Sequence, residues 1–297
     1  MKNSKEITVC CIVFGDGSVD FKEAAQRLGK QANNLEIFND VYVLDSASLS
    51  QLSIRYKQDL AKITRLTHYP LYYRAIKPWA ILYFMKDSSK KYDVVFYIDA
   101  GCELPNNIVS KLRLKKMIKE VYKYDAIAEH TGYKESTYSR KNLLDAFEPL
   151  SSTDDIGQIQ STWTMFKNTE ENIKFMLEWI ELSDPKYNYW QDPVGDELND
   201  QHPKFIENRW DQSIFSLLYK KYNLPTKKTF WEYGGKFGNL RGLSIPIHAT
   251  RNKTGRSNLP INHTSNYLSF LSLFLNSFLN LVRPIKKIVY KYIFRIN

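Results

Sequence analysis

Two stretches of the chain are apolar on both faces. One runs from Ile7 to Phe14 and the other from Val94 to Ile98, inside "YDVVFYIDAGCELPNN". Strands of this kind belong inside a sheet covered on both sides. Val41 to Leu44 is a shorter strand, and Ala126 to Glu129 and Ile159 to Phe166 are predicted as further ones. Between them the apolar positions return at helical spacing. Helices are predicted over Phe21–Gln31, Leu49–Leu66, Tyr72–Met85, Asn107–Tyr122, Thr169–Leu182 and Trp210–Tyr222. Pro70 and Pro78 interrupt or kink the third region. Tyr187 to Pro203 reads as an irregular loop, and the glycines of Phe230 to His248 indicate a hairpin or loop. Strands alternating with helices predict an α/β fold with a mainly parallel, doubly wound sheet. In such sheets ligands bind beyond the carboxyl ends of the strands. Asp99, Gly101 and Glu103 follow the Val94 strand at that end.

The composition supports a large core. Of 297 residues, 43% are hydrophobic and 14% aromatic, which argues against wholesale disorder. Net charge is +10, pointing to an anionic partner. The charge is uneven: from Thr264 to Asn297 there are five cations and no Asp or Glu, so the tail carries half of the excess. The three cysteines, Cys10, Cys11 and Cys102, have no zinc spacing and fit a reducing, cytoplasmic setting. The apolar run near the N-terminus is too short for a secretory signal. No internal repeat or low-complexity linker is visible. A boundary falls near Thr264, giving a domain over 1–263 and a tail over 264–297.

Four places could carry chemistry. Asp99 at a strand end can hold a divalent ion or cap the next turn, and Gly101 lets a ligand approach the backbone. Arg74 and Lys77, three residues apart in "YYRAIKPWAI", share a helix face and can either reach phosphates or lie in solvent. In "ENRWDQSIFSLL", Asp211 at the helix start is either an N-cap or, with Gln212, a group that holds a sugar hydroxyl or takes its proton. In "IPIHATRNKTGR", His248 precedes Arg251, Lys253 and Arg256, a metal-and-phosphate arrangement or an ordinary surface loop.

Read in order, these pieces resemble a GT-A type glycosyltransferase of the kind found among bacterial surface-polysaccharide enzymes. The matches are Val9–Phe14, Arg74, "FYIDAG" through Asp99, the strand–helix unit "GQIQSTWTMFKNTEENIKFMLEW" from Gly157, "WDQSIF" through Asp211, and His248 with Lys253. They span roughly residues 6–256. The resemblance implies a mixed, mainly parallel Rossmann-like sheet flanked by helices, and group transfer from a nucleotide-diphosphate sugar, UDP-linked, to a saccharide or lipid-linked saccharide. It implies Asp99, Gly101, Arg74, Lys77, Arg251 and Lys253 on the donor side. Gln212 and Gln158 fall on the acceptor side, with Asp211 as the base and Glu129 behind it. One departure stands out: the second Asp of the usual Asp-x-Asp is Gly101 here. A Mn2+ or Mg2+ ion would then fall to Asp99, His248 and Glu103.

The tail alternates differently. Tyr267, Phe270, Leu271, Phe274, Leu275, Phe278 and Val282 form one helical stripe, with serines and asparagines opposite. After Pro284, Lys287, Lys291 and Arg295 recur between apolar residues. A spanning helix needs about 20 apolar residues, and this run is shorter. The pattern fits a helix lying on an anionic membrane surface, placing the protein on the inner face. Packing on the domain and an oligomer contact are the alternatives. A non-catalytic basic module binding nucleic acid or membrane is the rival from another class, although no nucleic-acid motif is present. Another nucleotide-using α/β transferase is the closer rival, although there is no Gly-rich phosphate loop.

Overall fold

A computed structural model of the protein describes residues 6–52, 72–148, 157–227 and 245–257, with 266, 268, 270 and 271 of the tail. The strands are β1 (Val9–Phe14), β2 (Asp40–Leu44), β3 (Val94–Asp99), β4 (Ala126–Glu129), β5 (Trp163–Lys167) and β6 (Thr226–Lys227). They form one six-stranded sheet in the order β2-β1-β3-β5-β4-β6. β1 is parallel to β2 and β3, and β4 to β6, while β5 runs antiparallel to both β3 and β4. The fold is therefore the expected α/β sheet, parallel on the side of β1 and mixed where β5 enters.

The all-apolar strands are explained by two-sided covering. Along β1, Cys10, Ile12 and Phe14 enter one core with Tyr97. Val9, Cys11 and Val13 enter the other with Phe96 and Ile98. This is the period-two alternation of a strand, and it sends Cys10 and Cys11 to opposite faces. The first core is closed by helices Tyr72–Leu82, Glu170–Leu182 and Asp211–Lys221, and the second by Val19–Leu35 and Ile108–Tyr124. Three of these helices begin on side-chain caps: Ser18, Asn107 and Thr169 accept from the amides of Phe21, Ser110 and Asn172.

Three predicted elements differ in extent. The helix at Tyr72 runs through Pro78 and passes into a π turn over Tyr83–Asp87. The strand expected from Ile159 starts only at Trp163. Ahead of it the chain bonds to the end of β4 and the loop after it through an isolated bridge: the amide of Gln160 donates to the Glu129 carbonyl (2.9 Å) and that of Gln158 to the Tyr133 carbonyl (2.6 Å). The loop expected over Tyr187–Pro203 contains a short 3-10 turn at Gly195–Leu198. Of the helix expected over Leu49–Leu66, the structure describes Ser46–Leu52. Its remainder, most of the segment from Phe230, and most of the tail stripes lie outside the described residues. No described helix is long and apolar enough to cross a membrane.

Candidate active site

β1 and β3 end side by side, with Phe14 in register with Asp99. Beyond their carboxyl ends opens a cavity of about 620 Å3. Its floor is a charge cluster drawn from four distant parts of the sequence. The Lys77 ammonium lies 2.7 Å from Asp211 Oδ2, 3.2 Å from Asp99 Oδ1 and 3.3 Å from Asp99 Oδ2. It also donates to the Ser161 carbonyl (3.1 Å) and Oγ (3.2 Å). Ser161 in turn donates its hydroxyl proton to Asp211 Oδ2 at 2.9 Å. Lys77 is buried, so it is not part of a solvated basic face. A buried ammonium is tolerated when paired and hydrogen-bonded, and here both conditions hold.

Asp211 is the first residue of its helix, and Trp210 holds the N-cap position. Its carboxylate is committed to Lys77 and Ser161, which settles the choice between cap and pocket group in favour of the pocket. Trp210 has φ 51° and ψ −116°, an unfavourable backbone for a bulky residue, and it lines the cavity beside Arg209, Asp211 and Gln212. Backbone strain held at a cavity wall is a recurrent mark of functional sites. Trp210 is secured by its indole N–H donating to Asp192 (3.1 Å), and Arg209 by stacking on Tyr133 and Tyr138.

The electrostatics follow from the packing. Burial raises the pKa of Asp99, Lys77 pulls it back, and Asp211 adds to the rise, leaving Asp99 pushed up to about 6. With 35% of its side chain exposed to the cavity, Asp99 is the ligand-facing member of the cluster. For Lys77, burial opposes the charge, but attraction to Asp211 and Asp99 outweighs it and the pKa is raised. Lys77 is therefore an ammonium throughout the neutral range. Burial, with the charges of Asp99 and Asp211, also raises the pKa of Tyr97, so the phenol stays neutral and donates to Asp99.

A second network fixes the upper wall. Arg27, buried on the Val19–Leu35 helix, donates to Glu103 Oε1 (2.6 Å) and to the carbonyls of Ala100 (2.9 Å), Asn252 (3.1 Å) and Thr254 (3.0 Å). It thus joins the turn after β3 to the loop carrying Arg251 and Lys253, both of which line the cavity. Gly101 belongs to this joint. Its carbonyl accepts from the Asn252 amide (3.0 Å) and the Thr250 hydroxyl (2.9 Å). A Cβ at 101 would stand 3.3 Å from the Cα of Arg251. The close approach that favours glycine is made by the protein's own backbone.

The structure thus brings Asp99, Gly101, Lys77, Arg251, Lys253, Asp211 and Gln212 to one cavity. It sets the other candidates apart. Gln158 is fully buried and faces Tyr138, Ser139, Ser213 and Glu135, and it is linked to the cavity through Gln212, which donates to its Oε1 at 2.7 Å. Glu129 is buried and accepts from Gln160 (2.9 Å), away from the cavity lining. The side chain of Arg74 lies outside the described residues. Ser161, Tyr97, Trp210 and Arg27 were not anticipated, and nothing local in the sequence marks them.

A divalent ion does not fit the expected donors. Glu103 is turned to Arg27 and Asn252, not to Asp99. His248 pairs with Glu103 through the backbone, and its Nε2 lies 3.1 Å from the Ile245 carbonyl. A carbonyl only accepts, so that nitrogen carries the proton and Nδ1 holds the ring's lone pair. Among the described residues no three His, Cys, Asp or Glu side chains converge on one point.

No protein-family profile matches the chain, and no curated protein matches it by sequence. Among solved structures, it is similar to mouse xyloside xylosyltransferase 1 (9% identity, 86% of this chain and 99% of that one, TM-score 0.44). It is also similar to a glycosyltransferase involved in glycosylation of the major capsid of PBCV-1 (8% identity, 75% and 81%, TM-score 0.42). A third is 4-diphosphocytidyl-2C-methyl-D-erythritol synthase from Anaerococcus prevotii (9% identity, 75% and 86%, TM-score 0.33). At such identities and scores these likenesses carry no weight for the chemistry, which rests on the cavity itself.

Proposed function

We propose that the protein transfers a sugar from a nucleotide-diphosphate sugar, UDP-linked, to a hydroxyl of a saccharide or lipid-linked saccharide in surface-polysaccharide synthesis. The observation that carries the reading is the cavity floor: two carboxylates, Asp99 and Asp211, on either side of one buried ammonium, with Arg251 and Lys253 at the upper wall. On this reading Asp99 serves the donor and Asp211 the acceptor. Asp99 holds the hydroxyls of the donor sugar. The cations receive the diphosphate, where negative charge grows as the anomeric C–O bond breaks. The new bond forms between the anomeric carbon and the acceptor oxygen, and the hydroxyl proton passes to Asp211. Both of these contacts of Asp211 fall on Oδ2, and the reading gives Oδ1 to the acceptor hydroxyl. Gln212, held by Gln158, orients that acceptor. The tail, by its alternation of apolar and basic residues, keeps the enzyme where a lipid-linked acceptor is found.

A thermal-shift screen with nucleotides and nucleotide sugars tests the reading. Stabilisation by a nucleoside diphosphate and by its sugar conjugate is expected. Stabilisation by nucleoside triphosphates alone favours a nucleotidyltransferase, and none by any nucleotide contradicts the proposal.

A further inference from the structure

Of the groups that the resemblance would assign to a divalent ion, the carboxylates of Asp99 and Glu103 are already bonded within the protein. Both oxygens of Asp99 lie within 3.3 Å of the Lys77 ammonium, at 3.2 Å and 3.3 Å. The position two residues on is Gly101, whose carbonyl is taken by Thr250 and Asn252. Glu103 Oε1 accepts from Arg27 (2.6 Å) and Asn252 (2.5 Å). Mg2+ and Mn2+ call for several oxygen ligands around one centre, and the centre of this cluster is an ammonium. Two carboxylates and one lysine leave it with a single net negative charge. Arg251 and Lys253, both exposed on the cavity wall, turn the whole cavity positive.

We infer that this site binds and activates its donor without a divalent cation: Lys77, with Arg251 and Lys253, stabilises the leaving nucleoside diphosphate. The inference rests on the sugar-transfer reading above and deepens it. A fixed ammonium held in advance by two carboxylates needs little rearrangement as charge develops on the leaving group, which is the condition for strong electrostatic stabilisation. The lysine also accounts for Gly101. With the positive charge supplied from the side of Lys77, a second carboxylate at 101 has no ion to hold, and the space goes to the Arg251 backbone. Removing the ammonium reverses the arrangement. Lys77→Met leaves two carboxylates facing one another, a donor pair that attracts Mn2+.

Isothermal titration of the full chain with uridine, guanosine, cytidine and thymidine diphosphates tests this, after EDTA treatment and again in manganese. One of them is expected to bind with the same Kd in both buffers. Lys253→Gln, on the exposed wall, is expected to weaken that binding about tenfold in each buffer, the loss of one charge-assisted contact. Lys77→Met is expected to bind nucleotide only in manganese. Binding by the unaltered protein that appears only in manganese overturns the inference and leaves the sugar-transfer reading standing. Metal-free binding that neither Lys253→Gln nor Arg251→Gln weakens overturns the assignment of the cations. Failure of all four nucleotides in both buffers overturns the reading and the inference together.

Discussion

A carboxylate at the first residue of a helix has two roles open to it, and Asp211 shows which one is taken. It reaches into the cavity to Lys77 and Ser161, so its loss has a different signature from the loss of a cap. Asp211→Asn keeps the shape and the Ser161 hydrogen bond, and Lys77 keeps Asp99. The expected cost is about 1–2 kcal/mol of stability, read from urea unfolding, whereas transfer falls by about 10²–10⁴. Near-normal transfer in this variant removes Asp211 from the reaction. Asp99 has a pH signature. Its folded pKa, pushed up to about 6, lies above the usual carboxylate value near 3.9. The native state therefore binds the extra proton between about pH 4 and 6, and ionising Asp99 costs stability as pH rises through that window. Asn has no proton to lose. The melting temperature of the wild type, relative to Asp99→Asn, is expected to fall from pH 4 to 6 and stay level above. A difference that rises over the same range contradicts the geometry. At this scale Asp99 was legible, because an apolar run ending on a carboxylate is a local signal. Lys77 was legible only as a cation on a helix. Its burial comes from Asp99, Ser161 and Asp211, which the sequence places 22 to 134 residues away. Ser161 gave no signal, since a serine between Gln160 and Thr162 has nothing local to distinguish it.

The elements that matter most are the turn after β3 and the loop over 248–256. Arg27 holds them together with four hydrogen bonds. Breaking a buried pair strands the other charge, so Arg27→Met is expected to cost about 3–5 kcal/mol by urea unfolding and to weaken nucleotide binding, because Arg251 and Lys253 ride on that loop. An unchanged urea midpoint means that Glu103 finds another partner. Gly101→Ala forces a Cβ to 3.3 Å from the Arg251 Cα. The Arg251 backbone has to give by a few tenths of an ångström, and a cost of about 1 kcal/mol is expected by urea unfolding. Strand and helix identities were readable because burial on two faces and at helical spacing are periodic signals. The antiparallel entry of β5 was not, since direction depends on which edge of β3 the chain returns to. Gly101 was read as room for a ligand, and the glycine serves a contact with Arg251, 150 positions later in the chain.

At the scale of the whole molecule, half of the excess positive charge sits in the tail. The tail's basic and apolar stripes are expected to hold the protein on anionic liposomes at low salt. That binding is expected to fade with added salt, because exposed charges are screened over about 8–10 Å at physiological ionic strength. Deleting Thr264–Asn297 removes the hydrogen bond from the Ile108 amide to Asn266 (2.8 Å) and is expected to leave transfer to a soluble acceptor unchanged. A full chain that ignores anionic liposomes at low salt assigns the tail to packing or oligomerisation. The central claim is that Asp99, Lys77 and Asp211 form a site of sugar transfer, and nucleoside diphosphate release tests it most directly. Wild type and Asp211→Asn are given a panel of nucleotide sugars, with a mixture of sugar acceptors, and the released diphosphate is measured. The account expects release from at least one donor by the wild type and a loss of about a hundredfold or more in the variant. No release from any donor, or equal release by the two proteins, contradicts it.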